Sequence, residues 1–216
     1  MNLILLGPPG SGKGTQGNLL AKRFNLFYFE AGDFARELAQ KDLRIKNIVE
    51  KGNLIPEKEM TGYVDKLLEE KVPEGDNILF DGYPRFVSQY IDLVNWLSER
   101  HTKIDKAIFL DIDDEIVINR LSSRRICEKC GTTYNVITNA PLKENICDKC
   151  QGNLIQRYDD TPPSIRERLT QYRKNVKPLI DYLEKEGILL RINGENPIAD
   201  ITQDIIKDFN KEGLNA

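Results

Sequence analysis

The chain predicts an α/β fold: a parallel sheet of five strands flanked by helices, carrying two inserted segments of different character. Short apolar runs alternate with stretches of helical period, the pattern that builds a parallel sheet covered on both faces. The first run passes through a glycine-rich loop straight into a helical pattern, and two stretches, 30–55 and 123–160, follow neither rhythm.

Each element has its own signal. Asn2 to Leu6 is a short apolar run ending at Gly7, as expected of a strand buried on both faces. From Lys13 to about Phe24, Leu19, Leu20 and Phe24 recur at helical spacing. Further runs at Phe27–Phe29, Ile78–Phe80, Ala107–Leu110 and Ile188–Ile192 supply the other four strands, with helical patterns between them. Glu30 to Ile55 reads as short polar helices ending at Gly52, and Pro56 begins another helix. Ser123 to Asp160 has scattered Gly, Asn, Thr and Pro and no helical period, so it reads as β-rich. Thr161 is placed to cap a helix whose first residue is Pro162, where proline is best tolerated. The expected organisation is one core (1–29, 56–122 and 161–216) with inserts at 30–55 and 123–160.

Length and composition narrow the class. A chain of 216 residues, 40% hydrophobic and 30% charged, suits one ordinary globular core with insertions. Thirty-one Lys and Arg against 34 Asp and Glu leave a net charge of −3, so no global cationic field draws in nucleic acid or an anionic membrane. No apolar stretch approaches the roughly 20 residues of a membrane span, and the run in MNLILLGPPG is too short for a signal peptide. The chain is expected to stay in the cytoplasm.

The segment Gly7-Pro8-Pro9-Gly10-Ser11-Gly12-Lys13-Gly14-Thr15 has the GxxxxGK spacing of a P-loop, between a predicted strand and a predicted helix. Glycines let backbone N–H groups close around phosphate oxygens, and the helix start adds positive potential. Lys13 adds a full charge at the β- and γ-phosphates, so the core is expected to be that of a P-loop NTPase. Gly14 stands where most such loops carry Ser or Thr, which moves the hydroxyl to Thr15. Phe80-Asp81-Gly82-Tyr83-Pro84-Arg85 directly follows a strand and is trailed by Gln89. Ligands of open α/β sheets bind beyond the carboxyl ends of strands, so Asp81 and Arg85 belong on the rim that carries the loop. A carboxylate there suits the hydration shell of Mg²⁺.

Cys127-x2-Cys130-x16-Cys147-x2-Cys150 is the spacing of a four-thiolate zinc ribbon. Two matched CxxC turns complete a closed, structural tetrahedron, whereas a redox pair would need one. The only histidine, His101, lies in a polar loop without partners and reads as surface.

GPPGSGKGTQ, AGDFAR, FDGYPR with Gln89, the RR pair, the four-cysteine insertion, QRYDD and RERL occur in the order found in the adenylate kinases, which the whole chain resembles. It is similar to the long-lid, metal-binding bacterial type. The resemblance implies transfer of the γ-phosphoryl group of MgATP to AMP, giving two ADP reversibly, by a monomer with a structural Zn²⁺. It implies that 30–55 is an AMP-binding insert and 123–160 a lid over ATP. Carried over by position, Gly10 to Thr15, Arg120, Arg124, Thr133, Tyr134 and Asn196 contact ATP. Ala31, Arg36, Asn53, Leu54, Ile55, Gly82, Tyr83, Pro84, Arg85, Gln89, Arg157 and Arg168 contact AMP. The catalytic group is Lys13, Asp81, Arg85, Arg120, Arg124, Arg157 and Arg168; Arg125 is left without a role.

The physics beside the resemblance points the same way. Phosphoryl transfer between two nucleotides gathers negative charge, and planar, permanently charged arginines neutralise it. The acceptor oxygen is already anionic, so no general base is required. Two positions depart from the family pattern: Ala31 replaces its usual Thr, as in kinases of pyrimidine monophosphates, and Gly17 replaces its usual Ala. Gln89 and the long lid favour AMP. The alternatives are a UMP/CMP kinase, a GTP:AMP phosphotransferase, or a zinc-ribbon nucleic-acid-binding module. Three lysines against three acids between Cys127 and Cys150 leave the ribbon no basic charge for that last role.

Overall fold

The computed structural model describes residues 1–214. Asn215 and Ala216, the end of the predicted 161–216 core segment, lie outside the described residues. Strands β1 (Leu3–Leu6), β2 (Phe27–Glu30), β3 (Ile78–Asp81), β4 (Lys106–Asp111) and β8 (Leu189–Asn193) form one parallel sheet, ordered β2-β3-β1-β4-β8. All five lie where the apolar runs predict.

Side chains alternate across a strand, which is why a continuous apolar run serves a sheet covered twice. Leu3 and Leu5 face a core with Leu20 of helix α1 (Lys13–Phe24) and Ile201, Ile205 and Phe209 of α9 (Ile198–Glu212). Ile4 and Leu6 face the opposite core with α4 (Glu57–Lys71), α5 (Val87–Ser98) and α8 (Lys177–Lys185). Each fully buried leucine contributes about 2 kcal/mol, so both faces hold the central strand in place.

Between β2 and α4, two short helices, α2 (Ala31–Lys41) and α3 (Leu43–Glu50), break at Asp42. Its carboxylate accepts from the amides of Arg44 and Ile45 and starts the second helix. Between α6 (Asp114–Ser122) and α7 (Pro162–Gln171) lies an antiparallel sheet of β5 (Arg124–Cys127), β6 (Thr133–Asn135) and β7 (Leu154–Ile155), ordered β6-β5-β7. Its buried core is only Cys127, Tyr134, Cys147 and Leu154. Thr161 caps α7, its hydroxyl accepting from the Ser164 amide with Pro162 at the first position. A π-helical turn, Tyr172–Val176, carries α7 into α8. His101 is exposed after α5. Among the described residues no helix is long and apolar enough to cross a membrane.

Candidate active site

β1 ends at the P-loop and β3 at Asp81, so both deliver their groups to the carboxyl edge of the sheet beside the central strand. Gly10 and Gly12 hold positive φ, 81° and 96°, and a Cβ on Gly10 would stand 2.9 Å from Leu121 Cγ. The loop therefore passes tightly over α6, next to Arg120. Lys13 folds back so that its Nζ donates to the carbonyls of Gly7 (2.9 Å) and Pro8 (3.0 Å). Burial pushes the ammonium down to about 8, opposed chiefly by the Asp81 charge.

Asp81 is 3% exposed; its Oδ2 accepts from the Tyr28 hydroxyl at 2.7 Å. Desolvation raises its pKa, with Lys13 pulling the other way. Glu30 lies beside it in register across β2 and β3. Burial, a bond with Asp33 and the Asp81 charge lift the Glu30 carboxyl to about 7. Arg36 is ion-paired to Asp33, with Glu30 Oε1 3.5 Å from its guanidinium.

The remaining arginines are held by different means. Arg85 Nε donates to the Gly82 carbonyl (2.7 Å), and burial with the nearby Arg168 charge lowers its pKa to about 10. Arg124 grips Asp160 with two bonds of 2.7 and 2.6 Å, and Arg168 reaches the same carboxylate at 3.0 Å and Asp159 at 3.3 Å. Arg157 is lowered to about 10 by burial and by Arg124 and Arg36, and its buried Nε has no partner among the described residues. Arg120 donates to the Gly194 carbonyl at 2.9 Å. Arg125 bonds the carbonyls of Arg124 and Ser122, local backbone contacts at the start of β5.

Apart from Asp160 and Arg125, these charged side chains line one cleft of about 1180 Å³, larger than the roughly 300–1,000 Å³ of a usual single-ligand pocket. Every residue predicted for the two nucleotides lies on its wall except Pro84, which is buried behind it. Two side chains are engaged elsewhere. Tyr134 points into the cysteine knuckle, its hydroxyl accepting from the Asp148 amide (2.9 Å) and lying 3.5 Å from Cys147 Sγ. Gln89 Oε1 accepts from the Arg85 amide at 2.9 Å, and its NH₂ lies 3.4 Å from the Glu57 carbonyl. Sequence reasoning missed Tyr28, Glu30 and the paired Asp159 and Asp160. The run QRYDD carried the last two as a pattern but not their grip on Arg124 and Arg168.

The four cysteine sulfurs lie within 4.8 Å of one another. The Cys127–Cys150 and Cys130–Cys147 pairs are 3.4 and 3.6 Å apart, near the ~3.8 Å that a tetrahedron with ~2.3 Å Zn–S bonds requires. The Tyr134 hydroxyl and the amides of Lys149 and Cys150 lower Cys147 to about 6, favouring the thiolate a metal needs. A Cβ on Gly152 would stand 3.0 Å from Cys127 Sγ, so the knuckle closes around a glycine. The set fits zinc.

Comparison with known proteins gives a consistent match. The family model described as "Adenylate kinase" matches residues 5–188. A protein named adenylate kinase from Caldicellulosiruptor bescii is 40% identical over 212 residues, covering 96% of this chain and 98% of the relative. Its namesakes from Kosmotoga olearia and Staphylococcus aureus are each 38% identical, over 97% and 95% of this chain and 99% and 97% of their own.

Proposed function

The chain belongs to the adenylate kinase family, and from that premise we propose that its cleft catalyses reversible transfer of the γ-phosphoryl group of ATP to AMP, giving two ADP. The observation that carries this is the convergence of Lys13 with Arg36, Arg85, Arg124, Arg157 and Arg168, each close enough to shift another's charge equilibrium. Cations so crowded are useful only to a ligand bringing several negative charges, and two nucleotides end to end do so.

In this reading an anionic oxygen of the AMP phosphate attacks Pγ in line. The bond from Pγ to the β,γ-bridging oxygen breaks, and ADP leaves with that electron pair. Lys13 and the P-loop amides hold the β- and γ-phosphates, Arg120 at the end of α6 and Arg124 at the start of β5 approach them, and Arg85, Arg157 and Arg168 bridge donor and acceptor. Arg36 binds the acceptor phosphate once it leaves Asp33. Mg²⁺ bound with ATP would neutralise charge on the β- and γ-phosphates. Asp81 fits its hydration shell, since one of its oxygens accepts no hydrogen bond from the described residues and the carboxylate lines the cleft. Segment 30–55 serves as the acceptor-side insert and 123–160 as the lid, held by Zn²⁺ on Cys127, Cys130, Cys147 and Cys150. We take it to act as a monomer, as the resemblance to the long-lid type implies, and the composition suits the cytoplasm.

The test is a coupled assay pairing ATP and GTP with AMP, GMP, CMP and UMP. AMP with ATP is expected to lead in kcat/KM by a wide margin. Equal turnover of UMP or CMP would hand the acceptor site to the pyrimidine reading that Ala31 raises.

A further inference from the structure

The structure assigns a positioning role to Tyr28: its hydroxyl fixes the Asp81 carboxylate in the orientation that faces the phosphate-bound cation, and Gly17 is the space that admits its ring. The inference rests on the reading of Asp81 given above. Tyr28 stands on β2, one strand away from Asp81, and its hydroxyl donates to Oδ2 at 2.7 Å. That bond commits one carboxylate oxygen and leaves Oδ1 for the cleft. Asp81 is almost wholly buried, so without the hydroxyl Oδ2 would lose its only hydrogen bond from the described residues.

The ring reaches Asp81 by crossing beneath the first turns of α1. A Cβ on Gly17 would stand 2.5 Å from Tyr28 Cε2 and 2.8 Å from both Cζ and the hydroxyl oxygen. Even a Cβ on Gly14 would lie 3.8 Å from that oxygen. Glycine inside a helix costs about 1 kcal/mol relative to alanine, so the helix gives up stability where the tyrosine needs room. The departure at position 17 and the tyrosine at 28 are one adaptation.

Two substitutions test it from opposite sides. Tyr28→Phe removes the hydroxyl and keeps the ring; Gly17→Ala keeps the hydroxyl and drives the ring away. The direct measurement is Mn²⁺ affinity, by electron paramagnetic resonance, in the non-reacting complex of the full chain with a bisubstrate analogue joining two adenosines. Each variant is expected to weaken Mn²⁺ binding about tenfold, the scale of one hydrogen bond to a charged group. Affinity for the analogue without metal should stay unchanged, and the Mg²⁺ concentration for half-maximal kcat should rise in parallel. Unchanged Mn²⁺ affinity in Tyr28→Phe would overturn the assignment, as would a fall in kcat with the Mg²⁺ response unaltered. A Gly17→Ala enzyme matching the parent would overturn the packing half. Because Mn²⁺ binding is read without turnover, its outcome is separate from failure of the parent chain to phosphorylate AMP.

Discussion

Lys13 shows how much of a site depends on what a residue does before its ligand arrives. Its ammonium is tied to two carbonyls of its own loop, and burial has already weakened its hold on the proton, to about 8. With that pKa the charged form still predominates at pH 7, at about nine-tenths, and fades as pH rises through about 8. The kcat/KM for ATP, which reports the free enzyme, should therefore fall with unit slope above that pH. Phosphates in the complex retain the proton, so kcat should hold to higher pH; a flat kcat/KM profile to pH 9.5 would contradict the shift. Lys13→Met should keep the circular dichroism of the parent and lose at least about a thousandfold in kcat, the scale of one well-placed electrostatic group. Lys13, Asp81 and Arg85 are legible in the sequence because each sits at a fixed offset from glycine in a local motif. Tyr28 is not, since its partners lie 53 residues ahead in Asp81 and 11 behind in Gly17. Local spacing carries no information about a contact that the sheet creates.

At the scale of elements, the core strands are legible for a physical reason: burial on both faces forces an unbroken apolar run. The π-helical turn at Tyr172–Val176 is not, because apolar spacing does not distinguish one extra residue per turn from an ordinary helix. The segment 123–160 was readable by the failure of any period, and its structure explains that failure. Four buried apolar residues make a core too small to order an insert of under 40 residues, so a metal on the four cysteines would supply what apolar burial does not. Four thiolates would close the coordination shell of a zinc ion and leave no position for substrate or water, so a zinc held there would act on folding alone. Replacing Cys130 and Cys150 with Ser should abolish stoichiometric zinc and lower the unfolding temperature, while substantial activity survives in the cold. Two results would refute this: metal-free protein purified under reducing conditions, or a variant fully folded yet catalytically dead.

For the molecule as a whole, the crowding of positive charge predicts motion. Arg157 and Arg124, Arg85 and Arg168, and Arg157 and Arg36 each lower a neighbour's proton affinity, and these residues come from the core, from segment 30–55 and from segment 123–160. Asp159 and Asp160 offset part of that repulsion by holding Arg168 and Arg124, but Arg157 Nε stays buried and unpartnered among the described residues. Bringing these groups together without anions costs electrostatic free energy, and bound phosphates turn the same arrangement into an attraction. The gathered state is thus the one nucleotides stabilise, and the nucleotide-free enzyme should spend much of its time with its inserts apart. Closure also has a chemical purpose, because water reaching Pγ would hydrolyse ATP in place of transfer. Small-angle scattering should show the radius of gyration falling when the bisubstrate analogue binds, with ATP or AMP alone giving part of the change. Neutralising Arg157 as Arg157→Met should shrink the nucleotide-free enzyme slightly and weaken the analogue, since it removes repulsion and attraction together. An identical scattering profile with and without the analogue would mean that the cations are held together by the fold alone.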